Sequence, residues 1–289
     1  MNTRTRSALS TIRAILRFPL IRVPLLGGIL FVVMGISNGF METYGESTLN
    51  ALALVLLMVV LALAVYWAFV RFVENRAVSE LSTAGEGAEF TMGLLLGFGL
   101  YSATILVLFL LGYYRFGGLN PWTALLPFVP LAISSAFLEE LIYRGVLFRV
   151  TEEYLGSWIA LIATSAFFGA RHLGNPDATL IGAIFVAIEA GMLLAAAYIL
   201  TRRLWLSIGI HMSWNFAQAA VFSGTVSGIE MPQGLMQSVI AGPELMTGGK
   251  FGVEASIVAC LLCTAAGAML VLMAVRRGLI LKPMWAQHN

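Results

Sequence analysis

"ALALVLLMVVLALAVYWAFV", residues 51–70, runs for twenty side chains without a charge. A helix rises 1.5 Å per residue, so about 20 apolar residues cross the ~30 Å hydrocarbon core of a bilayer. The stretch reads as one membrane span, about 51–72. A transmembrane β-strand would be ~10 residues of alternating polarity, and this run is continuous. Working outward, comparable apolar segments stand at about 23–40, 91–113, 127–151, 157–172, 178–200, 204–222 and 253–275. The expected fold is therefore an all-α polytopic membrane helix bundle of about eight transmembrane helices. Composition agrees, with 59% hydrophobic and 11% charged residues in 289, and mean hydropathy is +0.89. Nothing in this balance suggests a nucleic-acid surface.

The same reading divides the chain into a basic tail (1–22), a first group of transmembrane helices (23–113), a core of polar-bearing helices (121–222), an irregular loop (223–252), and a last helix with its tail (253–289). The N-terminal "MNTRTRSALSTIRAILR" has the basic character of a signal-peptide n-region but no convincing cleavage site, so it is expected to be retained. With an even number of spans and both termini cytoplasmic, only Arg115, Arg171 and Lys250 of the 17 Lys and Arg fall outside. That asymmetry follows the positive-inside rule and suggests an inner-membrane protein, bacterial in character. Residues 73–89 read as a solvated inside connection. The loop 223–252 reads as a plain connection, with a lid or re-entrant piece as alternatives. Cys260 and Cys263 read as packing residues rather than a redox or zinc pair.

A second stretch, "FLEELIYRGVLF" at 137–148, sets Glu139, Glu140 and Arg144 inside an apolar run. A charged group at mid-membrane costs about 2.5–3.5 kcal/mol on insertion scales, so such groups face a bundle interior or water and have a partner. Glu140 and Arg144 are spaced i and i+4 with the acid first, the favourable order for an intrahelical ion pair, which reads as structural. Glu139 points about 100° away on the same helix and has no partner there. Burial disfavours its charged form, which suits a group that takes and returns protons.

Two of the three histidines, His172 in "FFGARH" and His211 in "HMSWN", also lie on predicted spans; His288 is in the tail. His211 and Asn215 share one helix face, and paired donors in a water-poor site stabilise a developing oxyanion. Helix-to-helix hydrogen bonding is the plainer role for each of these groups. Glu189 is open between a pairing with Arg171 or a histidine, a place on the substrate path, and simple helix packing. The serines of "SSAF" and Trp214 read as packing residues. The chain lacks an aspartyl pair, an H-E-x-x-H and a G-x-S-x-G.

Three motifs thus stand in order: E-E-x-x-x-R (Glu139, Glu140, Arg144), F-x-x-x-H (Phe168, His172) and H-x-x-x-N (His211, Asn215). Together they resemble the CPBP family of intramembrane proteases, which includes the Rce1-type CAAX prenyl endopeptidases, over roughly residues 125–220. The resemblance implies a protease acting on membrane-associated peptide substrates within the lipid bilayer. In it Glu139 would serve as the acid/base, His172 would help activate water, and His211 with Asn215 would form the oxyanion hole. Glu140 and Arg144 would hold the site's shape. The preferred mechanism needs no metal; zinc or another divalent ion held by Glu139, His172 and His211 is the alternative. Competing functions are a catalytically silent scaffold or bacteriocin-immunity factor and a proton-coupled transporter. On straight helices His172 and His211 would differ in depth by ~12 Å, a gap that tilt, a short span or a shifted boundary would have to close.

Overall fold

The computed structural model describes residues 15–16, 18–44 and 47–286. Arg4, Arg6, Arg13 and Arg17 of the basic tail, and His288, lie outside the described residues. The chain is an all-α polytopic membrane bundle and an integral membrane protein, with six helical segments among the described residues long and apolar enough to cross a bilayer. Its helices are α1 (Pro19–Tyr44), α2 (Thr48–Ala68), α3 (Glu86–Leu110), α4 (Phe128–Glu140), α5 (Arg149–Arg171), α6 (Leu180–Val186), α7 (Met192–Thr201), α8 (Trp205–Phe216) and α9 (Ile257–Arg276). Leu57, Val60, Leu95 and Leu110 point outward, as a lipid-facing surface requires.

One apolar segment, 122–174, is too long for a single crossing. It breaks at Gly156, whose φ of 77° and ψ of 167° leave the helical region. A side chain there would meet the backbone of Leu281 and Pro283, so only glycine serves at this corner. The break falls between the spans expected at 127–151 and 157–172. Segment 205–221 is helical but is not among the six long ones.

Four helices widen into π turns where they carry polar groups: α2 into Phe69–Glu74, α4 into Leu141–Phe148, α6 into Ala187–Gly191, and α8 into Ala217–Val221. Such turns recur at functional sites. α8 is pressed onto α3 through Gly93, Gly97 and Gly209; a Cβ on Gly93 would lie 2.9 Å from Gly209 Cα. Small residues at a membrane-helix crossing let the two backbones approach closely.

Two expectations about the connections change. Residues 73–89 are a solvated connection only in part: Asn75, Ala77 and Ser79 are exposed, but Glu74 and Glu80 are buried. Arg149 bonds Glu74 at 2.7 Å and reaches Glu80 at 3.5 Å, while Arg76 holds both acids. Arg22 of α1 joins through Glu74 and Glu153. Charges that read as a solvated run are drawn in by arginines from other helices.

The irregular 223–252 segment, in turn, contains β2 (Met236–Ile240), which pairs antiparallel with β1 (Tyr114–Leu119). The pairing sets the α3–α4 and α8–α9 connections on one face of the bundle. The arginine–glutamate network marks the opposite face.

Candidate active site

A cavity of about 210 Å³ opens inside the bundle. Glu139, His172, His211 and Asn215 all line it, from α4, the end of α5, and α8. His211 is buried, whereas Glu139, His172 and Asn215 keep partial exposure.

Glu140 is the structural centre. It is fully buried, and its Oε1 accepts from Arg144 Nη1 at 2.7 Å and from His211 Nδ1 at 2.9 Å. A carboxylate only accepts, so Nδ1 carries the proton and Nε2 is the nitrogen left for the cavity. Arg144 also donates Nη2 to the carbonyls of Ala190 and Gly191, at 3.3 and 3.1 Å. This arginine therefore ties α4 to α6 and is not a topology-setting surface charge.

Phe168 organises the rings. Its centroid is 4.9 Å from that of His172 and 6.4 Å from that of His211. The Arg144 guanidinium carbon lies 4.7 Å over the same ring, a cation–π contact. The aromatic residue of F-x-x-x-H thus spaces the two imidazoles and braces the arginine that holds Glu140. His172 Nδ1 is paired with the Phe168 carbonyl at 2.8 Å, one turn back along α5. Both histidines present Nε2 as the nitrogen not used by these bonds. Glu139 lies close enough to both imidazoles to interact with them electrostatically.

Asn215 donates Nδ2 to Ser135 Oγ at 3.1 Å, which fixes the carboxamide and leaves its second N–H unassigned by this bond. Ser135 also lines the cavity, contrary to its expected packing role. Its signal was present in the sequence: it stands four residues before Glu139, on the same helix face. Trp214 lines the cavity too, and stacks edge-on against Tyr101 at 5.1 Å. Glu189 resolves as a cavity-lining residue rather than a partner of Arg171.

Residues from the connection between α8 and α9 complete the wall. Val226, Ser227, Ile229, Met231 and Glu254 line it, so the 223–252 segment covers the site rather than passing beside it. Glu254 precedes the last membrane helix. Burial pushes its carboxyl up to about 7, although the Ser227 amide donates to it and opposes that rise. Sequence reading passed over Glu254 because it sits at the boundary of the last span, where an acid needs no explanation.

Among the described residues, no group of three His, Cys, Asp or Glu side chains is placed to hold a metal ion. Glu139, His172 and His211 share the cavity but not a ligand geometry.

Residues 121–217 match the model of a family described as Type II CAAX prenyl endopeptidase Rce1-like. The matched segment runs from seven residues before α4 to just past the end of α8 and contains all three motifs, in agreement with the resemblance seen in the sequence. No curated protein and no solved structure matches the chain.

Proposed function

We propose that this chain is an intramembrane endopeptidase that hydrolyses peptide bonds of membrane-associated substrates with water activated by Glu139 and His172. The observation that carries the proposal is the convergence of Glu139, His172, His211 and Asn215 on one cavity, within the segment that matches a family of endopeptidases. A bacterial inner membrane and cytoplasmic termini fit the charge asymmetry of the sequence.

Each group has a chemical task. Glu139 accepts a proton from water as the water oxygen attacks the substrate carbonyl carbon, and His172 Nε2 orients that water. Negative charge then develops on the carbonyl oxygen. His211 Nε2–H and the second Asn215 N–H donate to that oxyanion. For Nε2 to donate while Nδ1–H is bonded to Glu140, the ring must be an imidazolium, and the buried Glu140 carboxylate is the group that holds it so. As the tetrahedral intermediate collapses, the C–N bond breaks and Glu139 returns its proton to the leaving nitrogen. Glu140, Arg144, Phe168 and Ser135 position the others.

This mechanism is independent of metal.

The test uses the full chain in liposomes against a library of membrane-inserted peptides, with and without a chelator. Glu139→Ala is expected to lower cleavage by at least about a hundredfold, within the usual range for a general acid/base, and chelator is expected to change nothing. Equal cleavage by wild type and variant would overturn the catalytic assignment. Loss of wild-type cleavage on chelation would overturn metal independence alone.

A further inference from the structure

Among the described residues six glutamates are buried: Glu74, Glu80, Glu140, Glu152, Glu189 and Glu254. Four of them form an ion pair with arginine: Glu74 with Arg149, Glu80 with Arg76, Glu140 with Arg144, and Glu152 with Arg202. Glu189 and Glu254 form none with any described residue, although they are only 1% and 3% exposed. The fold therefore meets the cost of a buried acid with a guanidinium everywhere except at this pair. A buried carboxylate without a cation is expensive, more so in a membrane.

Both acids line the cavity that holds Glu139, and they lie close enough to each other to interact electrostatically. Glu254 is held by the Ser227 N–H. Glu189 Oε2 is buried and has no hydrogen-bond partner. Behind them, Gln218 Oε1 is likewise buried and unpartnered, its amide nitrogen being given to the Thr225 carbonyl at 2.5 Å. The wall beside the acids is apolar, with Val186, Leu193 and Val226. The charged side chains on the cavity wall other than histidine and glutamate reduce to Arg171, which stacks over Phe31 at 5.5 Å instead. The cavity thus offers carboxyl acceptors at Glu189 and Glu254 and apolar lining at Val186, Leu193 and Val226. Lys and Arg have that amphipathic form, an apolar stem with a charged tip.

We propose that the Glu189–Glu254 end of the cavity is a specificity subsite that receives the basic side chain, Lys or Arg, of a substrate residue flanking the scissile bond. The proposal rests on the endopeptidase reading. It assigns the two acids to substrate recognition and not to the chemistry at Glu139. Entry of the cation supplies the counter-charge the fold omits and occupies the free Glu189 oxygen. A peptide with an apolar residue in its place leaves Glu189 Oε2 unmet, which is how a buried polar site discriminates.

The test uses full-length protein in detergent and dye-labelled apolar decapeptides in which one Lys, or one norleucine of similar length, is moved along the chain. Binding is read by fluorescence anisotropy in the Glu139→Ala background, so that no cleavage intervenes. At one position Lys is expected to bind about tenfold more tightly than norleucine. Glu189→Gln and Glu254→Gln, each added separately, are expected to bring that ratio to within about twofold. A ratio near one at every position overturns the subsite without any variant at the acid pair, and so does a preference that survives both substitutions. Cleavage of the same peptides by protein with Glu139 intact separates the two readings. Cleavage without a Lys preference would sink the subsite alone, whereas Lys-selective binding that depends on the acids, with no cleavage, would sink the endopeptidase.

Discussion

Glu139 and Glu140 are adjacent, share one residue type and do different work, because ~100° of helix rotation sends one into the cavity and the other into the packed interior. That division was legible from spacing alone, as was the Glu140–Arg144 pair. The bond from His211 to Glu140 was not, because i and i+4 arithmetic sees only neighbours on one helix, and these residues are 71 apart in the chain. The bond makes Glu140 more than a support: it fixes which His211 nitrogen faces the cavity. Glu140→Gln keeps the size but removes the negative charge. It is expected to lower kcat by about 10- to 100-fold with little change in KM, because the contact matters once the oxyanion forms. Steady-state cleavage kinetics in liposomes check this; an unchanged kcat, or a loss confined to KM, would contradict it.

At the scale of elements, the apolar runs marked out the helices, but their edges and connections moved. α1 starts at Pro19 rather than near 23, and α9 starts at Ile257 rather than 253. The β1–β2 pair escaped notice because its two short strands lie more than a hundred residues apart and are rich in glycine and polar groups. Likewise, hydropathy could not show that α3 and α8 touch backbone to backbone, since glycine in an apolar run looks like any other small residue. That contact has a direct consequence, because α8 carries His211 and Asn215. A Cβ on Gly97 would overlap the Ile210 carbonyl oxygen and Ser213 Oγ, so Gly97→Val must push α8 outward. It is expected to cost about 1–3 kcal/mol through overpacking and to depress cleavage along with the thermal midpoint. Gly99, two residues on, has open space around its Cβ position, and Gly99→Val is expected to leave both unchanged. Equal behaviour of the two variants, read by thermal unfolding and cleavage, would contradict the packing argument.

Across the whole molecule, one face is closed by a network of paired arginines and glutamates, and the cavity lies toward the other, beneath the 223–252 segment. The depth gap expected between His172 and His211 is closed in the structure, where both rings stand beside Phe168. The straight-helix arithmetic assumed that all helices start at one plane. α8 instead begins against the docked 79–82 segment, with the Leu204 N–H bonded to the Glu80 carbonyl at 3.1 Å and Trp205 Nε1 to the Ser82 carbonyl at 2.8 Å. The same segment carries the buried acid Glu80, which a local reading of charge places in water. The motifs thus named four residues that line one cavity, while parts of the chain outside the matched segment pack around them. Groups that work as one unit fail as one unit: once one is gone, removing another costs little more. The most direct measurement is a double-mutant cycle on kcat/KM with Glu139→Ala, Asn215→Ala and their combination, in the same liposomes. Convergence on a single reaction predicts that the double variant loses about as much as Glu139→Ala alone. Two losses that simply multiply would mean that the carboxyl and the carboxamide act independently, and the single-site account would fail.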